Sequence, residues 1–157
     1  MENIISFKSF LSPSFIQLSD SYLDQKELFS NINSVMLEHD YIEKSYLDNV
    51  IEREEKYPTG LITPLLNIAI PHTDPIHIKK PFIFITKLQK PLSFGAMGTD
   101  DVKIDVNWIF SLGVTHAETQ LILLQELISL FSKEDKVKTL VSLNNEKDIY
   151  DFFINFK

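Results

Sequence analysis

The sequence predicts an α/β fold in which a single domain contains a mixed β-sheet flanked by helices. Apolar residues recur at helical spacings in the first third of the chain, and short β-prone runs follow in its middle. Helical spacing returns in the last third. Because strands that are separated and flanked by helices form layered sheets, these observations favour one α/β domain over residues 1–157.

The N-terminal part of the chain is predicted to form one strand and two helices. The strand spans Ser14 to Leu18, and the first helix runs from about Tyr22 to Glu38. The apolar residues of that helix recur at spacings of three and four, and they are Leu28, Ile32, Val35 and Met36. The second helix runs from Ile42 to Glu55, and Pro58 and Gly60 mark its end.

The middle of the chain is predicted to supply the buried strands. Residues 68–70 form a short apolar run that ends at Pro71, because proline cannot extend a sheet ladder. Phe82 to Leu88 is an apolar, β-prone run. Val102 to Leu112 alternates between apolar and polar residues, so its apolar members are expected on one face. These members are Ile104, Val106, Trp108, Phe110 and Leu112.

A helix is predicted directly after the last of these strands. Thr115 and Glu118 form the capping-box pattern, in which two side chains satisfy free N–H groups of the first turn, so His116 is expected at the first helical position. The residues that describe the helix beyond it are Leu121, Leu124, Gln125, Ile128 and Phe131. Two more helices are predicted at Val137 to Leu143 and Asp148 to Phe153.

The composition and charge limit the classes of protein to which the chain can belong. No run approaches the ~18 apolar residues that span a bilayer, and no signal peptide opens the chain. The chain has no cysteine, which excludes disulfides, thiolate catalysis and zinc–sulfur sites and fits a cytoplasmic protein. Its net charge of −7 argues against nucleic acid or anionic membrane as a principal partner and favours a basic protein.

His72 is the first candidate for a functional residue. It follows Pro71 at the end of a predicted strand, and Pro75 comes three residues later. An imidazole on such a stiff turn can serve as a nucleophile, a general base or a metal ligand. The alternative is a solvated surface histidine, which is the commoner role of a lone histidine in a loop bounded by prolines.

His116 and Arg53 are the second and third candidates. A helix N-terminus attracts anions such as phosphate, so His116 is placed where a phosphoryl group could bind. The guanidinium of Arg53, near the end of the second predicted helix, could bind a doubly charged oxyanion. The alternatives are an ordinary first-turn residue for His116 and a solvated charge cluster, Glu52 to Glu55, for Arg53.

These three residues together indicate chemistry on a phosphoryl group. A neutral imidazole can attack phosphorus, provided that it is correctly oriented and that donors surround the equatorial oxygens. The chain has four glycines and no GxxxxGK[ST] segment, so ATP binding through a P-loop is not expected. No cofactor is predicted.

Several short motifs occur in a fixed order between Arg53 and about Leu130. They are Arg53-Glu54, Pro58-Thr59-Gly60-Leu61, Ile68-Ala69-Ile70-Pro71-His72-Thr73, Pro91-Leu92-Ser93-Phe94, Met97-Gly98-Thr99, and His116 ahead of Leu121-Ile122-Leu123-Leu124-Gln125-Glu126-Leu127. With this spacing, residues 53–130 resemble the type-2 EIIA domains of the bacterial phosphoenolpyruvate-dependent sugar phosphotransferase system (PTS), the mannitol/fructose family. The Pro-Thr-Gly-Leu and Phe-x-x-Met-Gly-Thr segments are most similar to the galactitol branch.

The resemblance implies a role for each candidate. His72 would accept a phosphoryl group from the phosphocarrier protein HPr and pass it to a cysteine of an EIIB component, which serves an EIIC permease. His116 would be the second histidine, which stabilises the phosphoryl charge, and Arg53 would lie near the same oxygens. Thr73 would donate to the phosphate through its backbone or its hydroxyl. Such domains are cytoplasmic mixed sheets covered by helices.

Three readings of the function remain open on the sequence. The first is the sugar-transport phosphocarrier, expected as a free-standing subunit because the chain starts at Met1 and stops just after a predicted helix. The second is a regulatory EIIA-like phosphoprotein that signals to protein partners. The third is a metal-binding module that uses His72, His77 and Asp74, although His-x4-His across Pro75 is not the spacing of a helix. His77 and His39 are otherwise interpreted as structural or surface residues.

Overall fold

Five strands form one mixed sheet in the computed structural model, which describes residues 7–156. Residues 1–6 and 157 of the predicted domain lie outside this range. The strands are β1 (Ile16–Ser19), β2 (Gly60–Ile62), β3 (Asn67–Ala69), β4 (Phe82–Gly95) and β5 (Lys103–Gly113). Their order across the sheet is β1-β4-β5-β3-β2. β1 runs parallel to β4 and β3 runs parallel to β5, whereas the β4–β5 and β2–β3 pairs are antiparallel.

Within residues 7–156, five α-helices cover both faces of the sheet. They are α1 (Gln25–Glu38), α2 (Tyr46–Lys56), α3 (Ala117–Phe131), α4 (Glu134–Val141) and α5 (Glu146–Ile154). The apolar residues of α1 and α2 pack on one face, and those of α3, α4 and α5 pack on the other. The predicted fold class is therefore confirmed. Among residues 7–156, no helix is long and apolar enough to cross a membrane.

The helices on the first face begin later than the sequence predicts. Asp24 is the N-cap of α1 and accepts a hydrogen bond from the backbone N–H of Glu27 at 2.9 Å, so the helix begins at Gln25 and not at Tyr22. The predicted start of the second helix at Ile42 is wrong as well. Ile42 forms an isolated antiparallel bridge with Ile78, and this extended backbone delays α2 until Tyr46.

The prediction that the apolar residues of β5 share one face is wrong. Ile104 and Val106 pack with α1 and α2, whereas Trp108, Phe110 and Leu112 pack with the other three helices. The change of face falls between Val106 and Trp108, at the point where the β4–β5 register shifts between Lys87 and Leu92. The side-chain amide of Asn107 donates to the carbonyls of Leu88 and Gln89 at this point, which satisfies the backbone that the bulge leaves unpaired.

The sheet continues through two segments that the sequence does not identify as strands. β2 lies at the edge of the sheet, and its first residue, Gly60, was interpreted as the end of the preceding helix. β4 extends to Gly95, past the predicted end at Leu88, because pairing with β5 resumes beyond the bulge. The strand predicted at residues 68–70 is confirmed as β3, one residue earlier, and it stops before Pro71.

Candidate active site

The turn that carries His72 is fastened to the neighbouring parallel strand. β3 ends at Ala69, and His72 forms an isolated parallel bridge with Leu112 of β5. The backbone N–H of Leu112 donates to the carbonyl of Pro71 at 3.0 Å. The strand therefore ends before Pro71, as predicted, and the hydrogen bond between Leu112 and the Pro71 carbonyl still ties the backbone just before His72 to β5.

The imidazole of His72 is held in one orientation. Its Nδ1 lies 2.8 Å from the carbonyl oxygen of Ile70, which can only accept a hydrogen bond. Nδ1 therefore carries the proton, and the lone pair of the neutral ring is on Nε2. Burial lowers the pKa of His72 below its ordinary value, and the positive charge of Arg53 acts in the same direction. The bond to Ile70 and the charge of Asp74 oppose this shift.

Arg53 lies on the last turn of α2 and forms a salt bridge in the same region. Its Nη1 is 2.9 Å from Oδ1 of Asp74, two residues after His72. The backbone N–H of Asp74 donates in turn to Oδ1 of Asn49 at 3.2 Å, so α2 binds the His72 turn at two points. The guanidinium also lies over the ring of Tyr57, with Cζ 5.5 Å from its centroid. The side chain is partly exposed, which leaves it able to contact an incoming anion.

Thr73 is buried beneath the turn. Its hydroxyl donates to the carbonyl oxygen of Asp74 at 3.0 Å, and the residue is 2% exposed. The single hydroxyl proton is thus committed to the backbone.

His116 is the N-cap of α3, and the predicted capping box is wrong. The backbone of His116 is extended, with φ −137° and ψ 134°, and the helix begins at Ala117. The cap is therefore one residue later than Thr115, and the side chain of His116 makes no capping hydrogen bond. The ring is exposed. Because β3 and β5 are parallel and His72 pairs with Leu112, both histidines follow the carboxyl ends of adjacent strands at one edge of the sheet.

The sequence did not single out Glu54 and Thr59 as site residues, yet they contact the residues that hold His72. Glu54 and Thr59 are each 5% exposed. The carboxylate accepts the N–H and the hydroxyl of Thr59, and the Thr59 hydroxyl oxygen accepts the N–H of Ile70. The interpretation of residues 52–55 as a solvated cluster is wrong for Glu54, because this side chain faces inward from α2. Glu54 and Thr59 occur in the motifs Arg53-Glu54 and Pro58-Thr59-Gly60-Leu61, and these motifs were the signal available in the sequence.

His77 and His39 are hydrogen-bonded away from this site. Nδ1 of His77 is 2.7 Å from Oγ of Ser45, at the N-terminus of α2, and Nδ1 of His39 is 2.9 Å from the carbonyl of Val35. Within the part of the chain that the structure describes, no three His, Cys, Asp or Glu side chains are arranged to hold a metal ion. The geometry thus gives no support to a metal site built from His72, His77 and Asp74.

Comparison with known families identifies the class of protein. Residues 9–156 match the family described as the phosphoenolpyruvate-dependent sugar phosphotransferase system, EIIA 2. The chain belongs to this family, and it is therefore an EIIA component of a sugar PTS, a phosphotransferase that works through a phosphohistidine intermediate.

The relatives of the chain within this class include a galactitol component. The galactitol-specific EIIA component of Escherichia coli K12 is 28% identical over 142 residues, which cover 90% of this chain and 93% of the relative. Among solved structures, E. coli IIA mannitol has a TM-score of 0.71 at 16% identity and covers 91% of this chain and 98% of its own. Nitrogen regulatory protein IIA-Ntr from Neisseria meningitidis has a TM-score of 0.71 at 21% identity, covering 93% and 97%.

A third structural match includes a bound protein. It is the complex of enzyme IIAMTL with phosphorylated enzyme IIBMTL from E. coli, with a TM-score of 0.57 at 15% identity, covering 94% of this chain and 90% of the matched one. At these identities the structural matches establish that the folds are alike.

Proposed function

We propose that this chain accepts a phosphoryl group on His72 from phosphorylated HPr and passes it to a cysteine of a cognate EIIB component. This relay would drive the phosphorylation-coupled uptake of a galactitol-like sugar or polyol. The observation that carries the proposal is the bond between Nδ1 of His72 and the carbonyl of Ile70. It leaves Nε2 of a neutral ring as the nucleophile at the end of a fixed turn.

The first transfer forms one P–N bond and breaks another. The lone pair of Nε2 attacks phosphorus as the P–N bond to the donor histidine of HPr breaks, and that electron pair returns to the donor nitrogen. Nδ1 of His72 keeps its proton throughout, because the Ile70 carbonyl holds it. The lowered pKa of His72 favours the neutral ring at neutral pH, so the nucleophile needs no separate base.

The second transfer returns His72 to its starting state. The thiolate of an EIIB cysteine attacks phosphorus, a P–S bond forms, and the electron pair of the P–N bond returns to Nε2. The chain itself has no cysteine, so the acceptor sulfur must belong to the partner. This agrees with the E. coli mannitol pair, in which the IIA enzyme is bound to a phosphorylated IIB enzyme.

Arg53, His116 and Thr73 are the groups that would stabilise the phosphoryl oxygens. Arg53 is the cation best suited to this role, since its charge lowers the pKa of His72 and its guanidinium already binds a carboxylate, that of Asp74. His116 occupies the N-cap of α3 at the same edge of the sheet, where a helix N-terminus favours an anion. The backbone N–H of Thr73 would add a neutral donor.

The partners follow from this relay. HPr and EIIB would bind the face that presents His72, and the EIIC permease would be served indirectly through EIIB. The net charge of −7 favours basic surfaces on both protein partners and disfavours nucleic acid. A cytoplasmic location fits these partners. The galactitol-like substrate rests on the relatives at 28% identity and on the motifs quoted from the sequence.

The direct test is phosphoryl transfer from phosphoenolpyruvate through Enzyme I and HPr to the purified protein, read by intact mass. We expect one added phosphate that is labile to acid, stable to base and absent in His72→Ala. His77→Ala is the matched control, because His77 lies only five residues further along the chain but bonds to Ser45. Retained phosphorylation in His72→Ala would place the site on another residue.

A regulatory role is the second candidate, since a nitrogen regulatory protein shares this fold. Addition of a galactitol-type EIIB to the phosphorylated protein separates the two roles. Loss of the phosphate from this chain with its appearance on an EIIB cysteine supports transport. If the phosphorylated protein retains its phosphate in the presence of every EIIB tested, the regulatory role is favoured.

A further inference from the structure

We propose that Glu54 and Thr59 are positioning residues for phosphoryl transfer, which hold the backbone of Ile70 so that its carbonyl fixes the ring of His72. This inference rests on the proposed function, because it assigns a task to two residues that do not touch the phosphoryl group. It also gives a role to Glu54, which follows Arg53 in its motif, and to Thr59 of the Pro58-Thr59-Gly60-Leu61 motif, since the relay uses neither of them.

The chain of contacts starts at a buried carboxylate. Oε2 of Glu54 accepts the backbone N–H of Thr59 at 2.8 Å, and Oε1 accepts its hydroxyl at 2.9 Å. Both acceptor oxygens are therefore used by one residue, which fixes the side-chain rotamer of Thr59. Glu54 thus links the last turn of α2 to the start of β2.

Thr59 passes this constraint to the residue that orients the imidazole. Its only hydroxyl proton points to Glu54, so its oxygen is free to accept the N–H of Ile70, which lies 3.2 Å away. The carbonyl of the same Ile70 accepts Nδ1–H of His72 at 2.8 Å. Three consecutive hydrogen bonds therefore connect the carboxylate to the ring.

The position of Thr59 in the sheet explains why a side chain is needed here. β2 and β3 pair from Gly60 with Ala69 to Ile62 with Asn67, so Thr59 and Ile70 are the first positions beyond the ladder. The Thr59 hydroxyl replaces the backbone acceptor that a longer ladder would supply. On the other side of the turn, Leu112 binds the carbonyl of Pro71. The two bonds hold the backbone immediately before His72 from both neighbouring strands.

The ionisable nature of Glu54 supports a role beyond closing a loop. Burial raises the pKa of Glu54 to about 7, although the two bonds from Thr59 and the charge of Lys103 oppose the rise. A buried carboxylate is thus kept at a cost, where a neutral residue could close the loop with less desolvation. In return its two oxygens accept two hydrogen bonds from Thr59 at once.

The test measures the tautomer of His72 and the transfer rate in the same set of variants. Ring ¹⁵N shifts of His72 report which nitrogen carries the proton, and they are recorded without any phosphoryl donor. We expect Thr59→Val to lose the preference for protonated Nδ1 and to lower the single-turnover transfer rate from HPr at least tenfold. Thr59→Ser should retain both, because it keeps the hydroxyl. Glu54→Gln should give an intermediate effect on both readouts.

The matched control is Thr86→Val. Thr86 is a fully buried threonine on β4 whose hydroxyl makes no hydrogen bond with the described residues. This variant should leave the tautomer and the rate unchanged.

Thr59→Val or Glu54→Gln with the wild-type tautomer and rate would overturn the inference, and Glu54→Gln decides it if Thr59→Val does not fold. Failure of the wild-type protein to accept a phosphoryl group would instead refute the proposed function. The tautomer readings would then still show whether Thr59 orients His72.

Discussion

The two histidines proposed to handle the phosphoryl group are held in different ways. His72 is half-buried, bridged to Leu112 and bonded through Nδ1 to Ile70, whereas His116 is exposed at the N-cap of α3 and makes no capping bond. A nucleophile must be aligned before the donor arrives, because misalignment lowers the transfer rate directly. A group that stabilises charge can adjust once the phosphoryl group is present. The two proposed roles thus agree with how each ring is held, since the proposed nucleophile is fixed in advance and the proposed stabiliser is free to adjust.

Removal of the fixed histidine is expected to have the largest effect. His72→Ala should abolish phosphoryl acceptance, because no other group at the turn has a lone pair in that place. Its melting temperature should stay near that of the wild type, since the half-buried ring contributes one hydrogen bond, worth about 1 kcal/mol. Intact mass after incubation with phosphorylated HPr and a thermal melt measure the two effects. A large loss of stability would show that the ring also supports the turn.

Removal of the adaptable histidine should slow the transfer without eliminating it. His116→Ala takes away one donor to the developing charge, which costs roughly 2–4 kcal/mol of transition-state stabilisation by analogy with oxyanion donors. Single-turnover rates from phosphorylated HPr measure this, and His39→Ala serves as a control because His39 bonds to Val35 elsewhere. An unchanged rate would reduce His116 to the residue that starts α3.

The buried carboxylate behind His72 should make the stability of the protein depend on pH. The folded protein raises the pKa of Glu54 from 4.5 to about 7, so it binds this proton more tightly than the unfolded chain does. The contribution of Glu54 is thus fully present below about pH 4.5 and is lost as the pH rises towards 7.

The shift corresponds to a difference of roughly 3 kcal/mol. The free energy of unfolding of the wild type, relative to that of Glu54→Gln, should therefore fall by about this amount between pH 4.5 and 7.5 in urea titrations. A constant difference across this range would mean that Glu54 ionises normally.

The parts of the site that could be predicted from the sequence are those that depend on local features of the chain. The prediction that β3 stops before Pro71 was correct, because the chemistry of proline is local. The capping box at Thr115 was wrong, since the extended backbone of His116 moves the start of α3 by one residue. The burial of Glu54 was missed for a related reason. The burial of Glu54 depends on its contact with Thr59 in the next segment, and a run of charged residues in the sequence does not indicate that contact.

The β5 prediction failed for a similar physical reason. Alternation predicts a common face only while the strand stays regular, and β5 changes face where its register with β4 shifts. In α3 the repeat indicated a helix correctly, but Leu121 and Ile128 are exposed, whereas Leu123 and Leu127 are buried. An almost continuous apolar run does not reveal which stripe faces the sheet. Local chemistry was thus predictable, and packing between distant segments was not.

The smallest predicted effect concerns Asp74, the present partner of Arg53. A phosphoryl group on His72 must compete with the Asp74 carboxylate for the guanidinium of Arg53. The negative charge of Asp74 also repels the phosphoryl group. Because a partly exposed salt bridge is worth about 0.2–1 kcal/mol, Asp74→Asn should raise the equilibrium constant for phosphoryl transfer from HPr by up to about fivefold. Asp40→Asn is the control, since it breaks the similar pair of Asp40 with Lys79. A lower phosphorylated fraction in Asp74→Asn would show instead that Asp74 holds Arg53 in the position that binds the phosphoryl oxygens.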